Sequence, residues 1–175
     1  MTSSSPDSQI RGSLRSADGK GIVRIEDRFD TGAGDLWSAL TDPRRLARWI
    51  GQVEGDLRLG GEFRARLSDA GDRIGRVEAC EPERRLLVTL RDTDPGPGQP
   101  TETTIEVTMI PSGDQTTLVV EEGGLPVGLL AAYGAGVQIH VENLATHLAG
   151  DELADQEARW EELLPFYERL AADIG

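Results

Sequence analysis

Two spacings of apolar residues alternate along the chain. "IVRIEDRFD" (22–30) sets Val23, Ile25 and Phe29 against Arg24, Glu26 and Arg28, the period-two pattern of a half-buried strand. From Gly32 the period lengthens. Leu36, Trp37 and Leu40 form one short helical face. Asp42-Pro43 then opens a second helix, with Asp42 as N-cap and Pro43 in the first helical position. Leu46, Trp49 and Ile50 are its apolar side and Gly51 its stop. Six strands follow, over 53–59, 62–68, 73–81, 85–92, 101–110 and 115–122. The second alternates cleanly, with Phe63, Ala65 and Leu67 on one face; the third is weaker and is expected to bulge at Gly75. Gly60-Gly61, "DAGD" (69–72), "PER" (82–84) and "PSGD" (111–114) are the turns, and "TDPGPGQP" (93–100) is a loop. Turns this short make the run an antiparallel meander.

After Gly123-Gly124 the helical period returns. "LPVGLLAAYGAG" (125–136) predicts a short helix or a closely packed loop. "GVQIHVENLATHLAG" (136–150) predicts a helix with one stripe of Val137, Val141, Leu144, Ala145 and Leu148. The final segment adds a helix with Trp160, Leu164, Tyr167 and Ile174 in register, kinked or restarted at Pro165. The order is therefore one strand, two short helices, six antiparallel strands and a long helix. This α+β arrangement buries its apolar faces if a curled sheet of about seven strands grips the long helix lengthwise.

Composition narrows the setting. The chain has 175 residues, 38% hydrophobic and 28% charged, which suits one soluble domain. The first 21 residues, rich in Ser, Gly and Asp, predict a disordered tail without a signal peptide or anchor, and a cytoplasmic protein is expected. Residues 22–150 form the expected domain, and 151–175 a helical extension packed on it. A net charge of −13 argues against nucleic acid, which needs a basic face. No apolar run is long enough for a membrane span. The single cysteine, Cys80, lies in a strand and reads as a small buried hydrophobe.

"LWSALTDPRRLARW" (36–49) resembles the opening block of the activator-of-Hsp90-ATPase-like family within the START-like superfamily (SRPBCC, Bet v 1-like). "DLRLGGEFRARL" and "TTIEVTMIPSGDQTTLVVEEGGLP" are similar to later blocks. "EACEPERRLLVTL" departs from the pattern with Leu90 where an aromatic is common. "HVENLATHLAG" resembles the terminal motif, with Gly136-Val137 in place of Gly-Trp. The resemblance covers about residues 22–150. It implies a helix-grip fold enclosing a space.

Catalytic motifs are sparse. No nucleophile elbow, CxxC pair or phosphate loop occurs, and no cofactor or metal is expected. His140 and His147, the only histidines, lie seven residues and about 10 Å apart along one helix, too far to share a zinc ion. With eight aromatics in the chain, a curled sheet is left with small and medium side chains facing the helix. The expected lining of the resulting cavity is Trp49, Phe63, Leu90, Ile105, Val107, Met109, Tyr133, His140, Asn143 and Leu144, with Tyr133, His140 and Asn143 as polar hooks. No residue is assigned as catalytic.

The leading reading is a module binding a hydrophobic or amphipathic small molecule. Resemblance to polyketide cyclases implies the alternative, an enzyme using His140 or Tyr133 as acid/base. The family name implies a third, a chaperone partner, although co-chaperones of that kind carry a separate N-terminal domain. The Trp160–Tyr167 stripe is expected to pack back on the domain or to pair in a homodimer.

Overall fold

The computed structural model describes residues 10–67 and 71–174. The first nine residues of the expected tail, residues 68–70 of the expected strand and turn, and Gly175 lie outside them. The elements are β1 (Arg11–Ala17), β2 (Lys20–Phe29), α1 (Ala33–Thr41), α2 (Pro43–Trp49), β3 (Gly51–Gly55), β4 (Glu62–Leu67), β5 (Gly71–Glu81), β6 (Arg85–Asp92), β7 (Glu102–Ser112), β8 (Gln115–Leu125), α3 (Leu130–Leu148) and α4 (Gln156–Ala172). All eight strands form one antiparallel sheet in the order β1-β2-β8-β7-β6-β5-β4-β3. The sheet curls around α3, the START-like architecture.

The sheet has eight strands rather than seven because residues 11–17 are not a tail. They pair with β2 from Arg11↔Glu26 to Ala17↔Lys20. The connection is Asp18-Gly19, both at positive φ (54° and 79°), the geometry of a two-residue hairpin turn. Gly12 and Leu14 lie opposite Ile25 and Val23, so they share their inward face. "RGSLRSA" is too polar for its alternation to stand out, but the Asp-Gly pair was a legible hairpin signal.

Local chemistry explains the other boundaries. Asp42 accepts a hydrogen bond from the Arg44 backbone N–H (2.9 Å), with Pro43 opening α2. β3 ends at Gly55 rather than Leu59 because Asp56 accepts from the Arg58 N–H and starts a turn, leaving Leu59 exposed. The bulge in β5 lies between Val77 and Ala79, not at Gly75. Gly75 serves a different end: a Cβ there would collide with the Phe63 ring, so the missing side chain seats that ring. Residues 127–129 form a single 3-10 turn that leads straight into α3, so the helix begins earlier than the glycines of 125–136 suggest. α4 runs through Pro165 without a break in the assigned helix.

α3 is buried on more than one stripe. Val137, Val141 and Leu144 face the sheet, while Gly134, Gln138 and Ile139 are also buried. α4 and β1 account for the second burial. Tyr167 is fully buried; a Cβ on either Gly12 of β1 or Gly134 of α3 would run into its ring. Its hydroxyl donates to Gln138 Oε1 (2.5 Å), Gln138 Nε2 donates to Glu142, and Arg159 grips Glu142 with two hydrogen bonds of 2.8 and 2.7 Å. This chain of polar contacts fastens residues 156–172 to the back of the gripped helix.

Candidate functional site

Between the concave sheet and α3 lies an apolar chamber of about 170 Å³. The short helices close one end through Leu40, Leu46 and Trp49, whose indole N–H is satisfied by the Ala39 carbonyl at 3.0 Å. The floor is the inward parity of successive strands: Phe63 and Ala65 of β4, Val77 of β5, Leu86, Val88 and Leu90 of β6, Ile105 and Val107 of β7, Leu118 and Val120 of β8. Val137, His140, Val141 and Leu144 of α3 form the roof.

The chamber adjoins a second, more polar space of about 460 Å³. The two share Ile50, Leu67, Leu90, Ile105, Glu122, Val137 and His140 as walls. The change from apolar to polar follows strand parity. Two residues beyond Gly75, Leu90 and Val120, the inward positions are Arg73, Asp92 and Glu122. Arg73 and Asp92 are register partners on β5 and β6. Tyr133 of α3 and Gln99 of the 93–101 loop face them, joined by a hydrogen bond from the Tyr133 hydroxyl to Gln99 Oε1 (3.3 Å). Trp160 of α4 completes this outer wall.

Burial dominates the electrostatics. Glu122 is 6% exposed and is pushed up to about 7 by desolvation, against the opposing pull of Arg73. Tyr133 is raised, first by burial, while charge and hydrogen bonding from Arg73 act to lower it. Arg73 Nε is buried and finds no hydrogen-bond partner among the described residues.

The expected lining residues separate into three groups. Trp49, Phe63, Leu90, Ile105, Val107, His140 and Leu144 surround the chamber, and Tyr133 stands on the outer space. Met109 lies one step beyond Val107 on β7, buried in the core near the end that α1 covers. Asn143 is adjacent to Leu144 and so turned about 100° away around α3; it is buried outside the lining, its Nδ2 unpartnered among the described residues. The two histidines also part company. His147 accepts from Arg45 Nε (3.2 Å), and burial together with Arg45 and Arg48 lowers its pKa. It ties α3 to α2 and takes no part in the pocket. No group of three or more metal-ligating side chains occurs among the described residues.

Sequence reasoning missed Glu122, Arg73, Asp92 and Gln99. Glu122 was traceable in principle by counting parity from Leu118, but Leu118-Val119-Val120 is apolar at every position and offers no parity to count.

The profile of the Activator of Hsp90 ATPase homolog 1-like protein family matches residues 30–149, from the end of β2 through α3. The chain belongs to this family. The fold of this chain is shared by solved neighbours. The crystal structure of CalU16 from Micromonospora echinospora is similar with a TM-score of 0.75 and 27% identity, covering 94% of this chain and 98% of that one. DynU16, a protein of the dynemicin biosynthetic locus, is similar at TM-score 0.68 and 28% identity over 80% of this chain and 51% of its own. Protein MLL2253 from Mesorhizobium loti aligns at TM-score 0.67 and 24% identity, covering 75% and 99%. No curated protein matches the chain. The family match ends before α4, so Trp160 is a wall contributed from outside it. No helix among the described residues is long and apolar enough to cross a membrane.

Proposed function

We propose that this family member is a small-molecule binding domain, holding an amphipathic ligand between the sheet and α3. The observation that supports the reading is an apolar chamber lying against a polar outer space with shared walls, the division of surface that ligand sites use for affinity and orientation. The chamber size sets the apolar part: an engineered apolar cavity of about 150 Å³ takes up benzene. A space of about 170 Å³ accordingly suits one ring or a short branched chain.

Filling the chamber tests this. Val120→Phe should abolish uptake of benzene-sized apolar ligands, followed by NMR shifts of chamber residues, while leaving thermal stability unchanged or raised. In a chamber already filled by its own side chains the same substitution overpacks the core and costs about 1–3 kcal/mol. That loss of stability would refute the proposal.

A second reading, proton transfer on an enolisable substrate, is favoured by Tyr133 and His140 standing on the outer space with Glu122. It predicts turnover that falls at least a hundredfold in Tyr133→Phe or His140→Ala while substrate binding persists.

A further inference from the structure

Arg73 is an unusual side chain to find on this wall. It stands at an inward strand position, its Nε is buried, and that N–H finds no acceptor among the described residues. No ion pair within 4.0 Å joins it to a carboxylate among them. Two acids share this wall without reaching it. Asp92, its register partner, accepts the Asp94 backbone N–H at 3.0 Å. Glu122 is buried beneath the boundary between the two spaces. A buried guanidinium N–H without an acceptor is costly, and a carboxylate meets the geometry of the group with two parallel hydrogen bonds.

We propose that Arg73 is the anchor for a carboxylate on the ligand, and that the molecule bound here is a compact monocarboxylic acid whose ring or branched body occupies the chamber. This rests on the small-molecule reading above and adds the chemical class and the orientation. The acid group lies in the outer space against Arg73 and the Tyr133 hydroxyl; the apolar end points toward Trp49 and Leu144. Glu122 does not oppose the anion below neutral pH. Burial holds its carboxyl protonated there, able to donate a hydrogen bond to the bound carboxylate.

The test compares 3-phenylpropanoate with its neutral isostere 3-phenylpropanamide, each titrated into the full-length chain at pH 6 and followed by backbone amide shifts. The acid should bind at least tenfold more tightly than the amide. Arg73→Gln should erase that preference while amide affinity stays within about twofold, and Arg73→Lys should retain part of it, since lysine keeps the charge without the fork. Equal affinity for acid and amide in the wild type overturns the Arg73 anchor and leaves the binding domain standing. A preference that survives Arg73→Gln overturns it as well. If neither probe shifts chamber residues at millimolar concentration, the binding reading falls and the anchor with it. Should Arg73→Gln fail to fold, the wild-type comparison and Arg73→Lys still decide.

Discussion

Among single side chains, Glu122 has the largest consequence. Its folded pKa of about 7 stands above the ordinary value of 4.5, so between those values the folded protein holds the proton more tightly than the unfolded chain. The stabilisation is complete below about pH 4.5 and is lost as pH rises through 7. Glu122→Gln cannot ionise and is spared that loss. Relative to wild type it should gain about 2–3 kcal/mol between pH 5 and pH 8, read as a changing difference in urea midpoints. The difference between the two proteins isolates Glu122 from other titrations, such as that of His147, whose lowered pKa acts in the opposite direction. A pH-independent difference would show that Glu122 is solvated. At this level the sequence was informative about which strand positions turn inward, because Leu90, Ile105 and Val107 alternate with polar neighbours. It was uninformative about Glu122, whose strand is apolar on both parities just before it.

Elements were legible where their ends carry chemistry. The Asp42-Pro43 start of α2 is such a case, and Asp42→Ala should cost about 1 kcal/mol by thermal or urea unfolding, since one backbone N–H loses its side-chain acceptor. β1 was obscured by its polar composition, and its partner explains why it forms. Gly12 leaves room for Tyr167, which bridges β1, α3 and α4. Gly12→Ala would put a methyl group into the Tyr167 ring and hydroxyl and should destabilise by about 1–3 kcal/mol. The same substitution should loosen α4, raising amide exchange over residues 156–172 more than in β4–β6. A strand such as β1 is stabilised by what covers it rather than by its own pattern, which is why periodicity passed over it.

For the molecule as a whole, α4 gives α3 its second buried side and supplies Trp160 to the outer space. Ending the chain after Gly150 removes Tyr167, Leu163 and Arg159 together. The expected result is a lower Tm and lost amide protection around Gln138 and Glu142, with β3 to β6 protected as before; unchanged protection on α3 would mean that α4 does not support it. The sequence alone was sufficient for the class of fold: alternation and helical spacing each record which face of one element avoids water, and that information is local. It could not disclose the junction of Arg73, Asp92, Glu122 and Tyr133. These residues come from three strands and a helix far apart in the chain, and they meet because pairing register aligns the strand ends and because packing by α4 and the short helices holds α3 off the sheet. A space between elements belongs to no segment, so no periodicity within a segment can encode it.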